Sequence, residues 1–127
     1  MSSGFWDWPR PAPHSDLAEI DATPDVHYRR LVFEIRQTIT FRAWFGGLRD
    51  MRAQAQIVRR IERAQTGNLG DVAVVGEGVR EMRIHHGPGY RLYFIQRGRE
   101  IIFLLSGGDK SSQARDIKAA IQMSKEL

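Results

Sequence analysis

Two arginines, a histidine and a tyrosine recur at alternate positions along the stretch Val79 to Lys110, VREMRIHHGPGYRLYFIQRGREIIFLLSGGDK. Met82 and Ile84 alternate with Glu81, Arg83 and His85, and after a turn Leu92 and Phe94 alternate with Arg91 and Tyr93. Successive strand side chains project to opposite faces. With the aliphatic and phenyl groups on the apolar side, Arg83, His85, Arg91 and Tyr93 therefore share the other face, which is expected to be open. A pair of guanidinium groups on facing strands can hold a phosphate and stabilise charge developing on it. An imidazole beside them can move a proton near neutral pH. Tyr93 is a second proton donor or a surface on which a base stacks, and Lys110, after the last segment, can bring a point charge to the same face. Structural roles compete for each residue: ion pairs of the arginines with Glu81 or Glu77, surface histidines before a turn, a tyrosine packed into the sheet, a lysine capping the preceding structure.

Other chemistry is poorly provided for. The chain has no cysteine, hence no disulfide and no thiolate metal site. His85 and His86 are adjacent and have no acidic cluster at ligand spacing, so neither a metal nor a cofactor is expected. Gly107-Gly108-Asp109-Lys110 lacks the GxxxxGK[ST] spacing of a nucleotide-binding loop. No apolar run approaches the roughly 20 residues of a membrane span, and the N-terminus has no signal-peptide pattern; a cytoplasmic location is expected.

Charge is divided unevenly within the net +4 of the 127 residues. Residues 1–27 carry Arg10 against Asp7, Asp16, Glu19, Asp21 and Asp25, a net −4; residues 28–127 carry 18 basic and 10 acidic side chains, a net +8. All the basic groups of the second part except Lys110, Lys118 and Lys125 are arginine, an electrostatic footprint for nucleic acid or an acidic protein. The proline-rich first part shows no period and is expected to be a flexible acidic tail on a single domain spanning 28–127.

The elements that position the site follow from periodicity. Leu31, Phe33 and Ile35 alternate within 28–37 and suggest a first strand. Thr38 or Thr40 can cap a helix whose apolar stripe is Phe41, Trp44, Phe45 and Leu48, cut short by Gly46-Gly47. Asp50 can cap a second helix reaching about Gln65, with Ile57, Val58, Ile61 and Ala64 inward and Arg52, Arg59, Arg60 and Arg63 outward; the short connection makes the two a helical hairpin. Val72 to Val75 is a short strand, and Gly76-Glu77-Gly78 turns into an antiparallel meander of three segments separated at Gly87-Pro88-Gly89 and Arg97-Gly98-Arg99. Ile101 to Leu105, apolar on both faces, reads as a covered central strand. Ser111 or Ser112 can cap a final helix bearing Ala114, Ile117, Ala120 and Ile121. The expected class is α+β: N-terminal strand, helical hairpin, antiparallel meander sheet, C-terminal helix.

Several of these residues fall in an ordered set of motifs. They are Phe41-x-x-Trp44-x-x-x-Leu48-Arg49-Asp50, Arg60-Ile61-x-Arg63, Gly67-Asn68-x-Gly70-Asp71 and Gly78-Val79-x-Glu81-x-Arg83-Ile84. Gly87-Pro88-Gly89-Tyr90-Arg91-x-Tyr93-Phe94 and Leu104-Leu105-x-Gly107-Gly108-Asp109-Lys110-x-x-Gln113-x-x-Asp116-Ile117 follow. From about Phe33 to Ala120 the chain resembles the addiction-module killer proteins, HigB-like or phage-derived Gp49-like, of the RelE/ParE superfamily. The resemblance implies the toxin of a type II toxin–antitoxin pair and an antitoxin partner that is commonly a helix-turn-helix protein. It further implies either ribosome-dependent, metal-independent mRNA cleavage or, alternatively, non-catalytic inhibition of DNA gyrase; an inactive antitoxin-binding module is a third possibility. For the first of these Arg83, Arg91 and Lys110 would hold phosphate while His85 or Tyr93 moves a proton. After Lys110 the chain has no tyrosine or histidine, so the C-terminal proton-transfer residue of some ribosome-dependent relatives has no counterpart.

Overall fold

The computed structural model describes residues 5–7 and 32–127. Six strands form one mixed sheet in the order β1-β2-β6-β5-β4-β3. They are β1 (Phe5–Asp7), β2 (Glu34–Thr38), β3 (Val72–Gly76), β4 (Val79–Ile84), β5 (Tyr90–Arg97) and β6 (Ile101–Gly108). The helices are α1 (Ile39–Gly46), α2 (Met51–Gln65) and α3 (Gln113–Lys125), the last preceded by a 3-10 turn at Lys110–Ser112. β3 to β6 make the expected antiparallel meander, whereas β2 pairs parallel with β6. The α+β class is the one expected, and from β2 onwards so is the element order, but β1 was not foreseen. Within the N-terminal segment Phe5–Asp7 pairs antiparallel with β2; the remainder of the expected tail lies outside the described residues, as do 28–31 of the first predicted strand.

β6 is the covered central strand that its composition demanded. Ile102 and Leu104 join Ile35, Phe41, Ile57, Ile61, Met82, Ile84, Leu92 and Phe94 in the core beneath α1 and α2. Phe103 and Leu105 face the other way, with Val79, Tyr93, Ile95 and Ala120, beneath α3. A register shift between Tyr93 and Phe94 re-aims β6 so that Ser106 stands opposite Tyr93.

Local signals set the helix ends. Thr38 Oγ1 accepts from the Phe41 N–H at 3.0 Å and donates to the Leu105 carbonyl at 2.6 Å, so a single hydroxyl caps α1 and ties it to β6. Asp50 accepts from the N–H groups of Arg52 and Ala53 at 3.0 and 3.1 Å. The serines behave differently from expectation: Asp109 caps the 3-10 turn through the Ser111 N–H at 2.9 Å, and Ser112 instead donates its hydroxyl to Asp116 at 2.5 Å. Ala114 is exposed, and α3 packs through Ile117, Ala120 and Ile121.

Two adjacent glycines fix how closely the helices approach β6. A Cβ on Gly107 would overlap the Trp44 indole on one face, and a Cβ on Gly108 would overlap the Asp116 carboxylate on the other. The Gly-Gly pair is therefore a steric requirement of a strand sandwiched between helices. Among the described residues no helix is long and apolar enough to cross a membrane.

Candidate active site

β4 and β5 bring Arg83 and Arg91 directly opposite one another, with Glu81 opposite Tyr93 one pair further along the same face. Like charges facing each other on a sheet repel, and a buried carboxylate resolves the conflict. Glu81 is 1% exposed; its Oε2 accepts from Arg83 Nε at 2.9 Å and its Oε1 lies 3.5 Å from Arg91 Nε. Gln113 of α3 donates to the same carboxylate at 3.0 Å. The carboxylate faces the Nε side of both guanidinium groups, hydrogen-bonded to Arg83 and only ion-paired with Arg91, whose Nε makes no hydrogen bond among the described residues; the outer nitrogens are left for other partners. One of these, Arg91 Nη1, donates to the Gly89 carbonyl at 2.9 Å. The Glu81 hydrogen bond also raises the pKa of Arg83 above the ordinary arginine value.

This face is open only at the end nearest the β4–β5 turn. α3 lies over the rest, leaving the Arg91 side chain 14% exposed and Arg83 41%. The sequence shows which side chains share a face but not which helix covers it. Tyr93 is fully buried, and its hydroxyl has no hydrogen-bond partner among the described residues. Burial, reinforced by Glu81 and Asp116, pushes its phenol up to about 12. Tyr93 thus belongs to the core beneath α3.

What remains accessible is a cleft of about 330 Å³ around the β4–β5 turn, lined by Arg83, His85, His86, Gly89, Tyr90 and Arg91 among others. Lys110 adjoins the turn: its N–H donates to the Pro88 carbonyl at 3.3 Å, and a Cβ on Gly89 would sit 3.5 Å from the lysine Cβ and 3.4 Å from Arg91 Nη1. The structure therefore groups Arg83, Arg91 and His85 at one cleft with Lys110 beside its turn, and sets Tyr93 apart.

The two histidines differ in what their ring nitrogens do. A carboxylate can only accept, so His86 donates Nε2–H to Asp50 at 3.0 Å, while its Nδ1 is 3.3 Å from the Gln56 amide nitrogen, which donates to it. Both nitrogens are occupied. The Ala53 N–H, with His86 adding to it, lowers the pKa of Asp50 below the ordinary carboxylate value. His85 donates Nε2–H to Asp71 at 2.7 Å, and its side chain is 76% exposed.

Sequence reasoning missed Asp71 and mistook Arg60. Expected to point outward, Arg60 instead donates to three carbonyls, those of Arg83, Leu69 and Asp71, the latter two at 2.9 and 3.4 Å. Partial burial lowers its pKa. Gly70, at φ +71°, is needed here because a Cβ would come within 2.7 Å of that guanidinium. The Gly67-Asn68-x-Gly70-Asp71 motif was the available signal, since it marks a turn whose shape is fixed by glycines and by the Asn68 side chain accepting from the Gly70 N–H at 3.1 Å.

The result is a small α+β domain with paired arginines and a carboxylate-bound histidine at one cleft. Residues 43–126 match the model of the family described as Phage derived protein Gp49-like (DUF891), and the chain belongs to that family, which is of the RelE/HigB-like toxin type. An uncharacterized protein of Haemophilus influenzae is 43% identical over 97 residues, covering 76% of this chain and 98% of the relative. Membership places the chain among toxin–antitoxin-related modules and implies an antitoxin partner.

Proposed function

We propose that this protein is the toxin of a type II toxin–antitoxin pair and that it cleaves mRNA on the ribosome without a metal. The observation that carries the reading is the in-register pair Arg83 and Arg91 at a cleft that also holds a histidine with one ring nitrogen not engaged by any of the described residues. In the reaction the 2′-hydroxyl gives up its proton and attacks phosphorus, the bond to the 5′ oxygen breaks, and that oxygen takes a proton from solvent. Charge accumulates on the non-bridging oxygens, where the outer nitrogens of Arg83 and Arg91 and the Lys110 ammonium stabilise it. His85 receives the 2′ proton. Tyr93, buried and held neutral, is assigned no step.

Arg83→Ala is the cleaner test of the arginine pair, because Arg83 is the more exposed member. Loss of one such donor typically costs on the order of 10²–10³ in rate. The expected result is a folded, antitoxin-binding variant that no longer arrests growth when induced, while Arg97→Ala, in the exposed end of β5, stays toxic. Full toxicity of Arg83→Ala would overturn the role.

A further inference from the structure

We infer that Asp71 is the residue that positions His85 for proton transfer, and that the Gly67–Asp71 turn, clamped by Arg60, exists to hold it there. This deepens the endonuclease reading above and rests on it. The Asp71 carbonyl is held twice, accepting from the Arg83 N–H at 3.0 Å and from Arg60 at 3.4 Å. Since Arg60 also bonds the Arg83 carbonyl, one guanidinium joins the turn to β4 just before His85. The side chain then divides its two oxygens, Oδ2 to His85 Nε2 at 2.7 Å and Oδ1 towards Arg83 Nη1 at 3.9 Å.

The chemical consequence follows from the inventory of the imidazole. With Nε2–H committed to a carboxylate, the ring carries its lone pair on Nδ1. His86, the neighbouring alternative, has both nitrogens engaged, by Asp50 and Gln56, and so has no lone pair to offer. Asp50 and Gln56 thus rule out His86, and Asp71 leaves His85 with a ring nitrogen able to act as the base. Nδ1 takes the 2′ proton as the oxygen–phosphorus bond forms, and the imidazolium created lies against Asp71.

The test is a double-mutant cycle on the full chain, with cleavage of a defined mRNA in a translating extract as the assay. General-base catalysis contributes about 10²–10⁴-fold, and losing its orienting partner forfeits part of that. Asp71→Asn is expected to lower kcat about 10- to 100-fold with KM unchanged, and to have no further effect in a His85→Ala background. Isotope-labelled ring-nitrogen spectra of the resting protein supply the second readout: His85 nitrogen shifts that place its proton on Nε2, and that Asp71→Ala moves towards a mixture of the two tautomers. If the parent cuts mRNA but the two substitutions act additively, or KM rises instead of kcat falling, the positioning role is overturned while the endonuclease reading stands. If the parent cuts nothing, the endonuclease reading fails and the role of Asp71 falls with it.

Discussion

Removing the Glu81 carboxylate should destabilise the domain far more than a surface substitution would. Its side chain is 1% exposed, accepts from Arg83 and Gln113 at 2.9 and 3.0 Å, and neutralises an Arg91 side chain that is itself only 14% exposed. Glu81→Ala leaves the largely covered Arg91 side chain with no carboxylate partner among the described residues, removes the bridge between two facing cations and frees α3 from its Gln113 anchor. Deleting one partner of a buried ion pair costs about 3–5 kcal/mol. Because Arg83 can swing towards solvent and α3 can admit water, we place the cost near the bottom of that range, at about 3 kcal/mol. With a urea dependence of roughly 1–1.5 kcal/mol/M for a domain of this size, the unfolding midpoint should fall by about 2–3 M. Urea titration followed by tryptophan fluorescence reads this directly, and Glu81→Gln, which keeps the volume and loses the charge, should fall between parent and alanine variant. A midpoint shift under about 0.5 M for Glu81→Ala would show that the cluster behaves like a solvated surface pair worth about 1 kcal/mol or less, and the account of a buried anchor would be wrong.

The glycines predict opposite signs. Gly107→Ala drives a methyl into the Trp44 ring and should cost about 1–3 kcal/mol, whereas Gly46→Ala, with no heavy atom within 4 Å, should stabilise by up to about 1 kcal/mol; thermal unfolding that ranks them equally would contradict the packing described. Tyr93 is held neutral by burial, so its contribution to stability is complete below its ordinary value of 10.0 and is lost as pH rises through about 12. Ultraviolet titration should show one tyrosine ionising late, and Tyr93→Phe should remove that component; simultaneous ionisation of all tyrosines would refute its burial. Asp50 and Asp109 are depressed, chiefly by the Ala53 N–H and the Ser111 hydroxyl respectively. Their contribution is present above 3.8 and lost as pH falls through the lower folded values, so Asp50→Asn should flatten the acid limb of a stability profile, and an unchanged limb would count against the cap.

The fold was legible wherever local chemistry decides it. Asp50 before an apolar 3.6-residue period marked α2, period-two alternation marked β4 and β5, and doubly apolar β6 announced its own central place. The site was legible only in part. Alternation put Arg83, His85, Arg91 and Tyr93 on one face, but a period carries no information about what covers that face, so the burial of Tyr93 beneath α3 was not readable. Arg60 sits on a helix side that reads as solvent-facing, and only the Gly70 turn, folding back over it, makes it internal. Asp71 and His85 are 14 residues apart and meet because β3 and β4 pair in register, a tertiary fact that the glycine motif hinted at without specifying.

Mapping of mRNA 5′ ends after inducing the parent chain decides whether this protein cuts mRNA on the ribosome. Cleavage through the Arg83–Arg91 site gives new ends bearing 5′-hydroxyl groups, confined to translated frames, suppressed when translation is blocked and absent for Arg83→Ala. Growth arrest with intact mRNA and an induced DNA-damage response would contradict it.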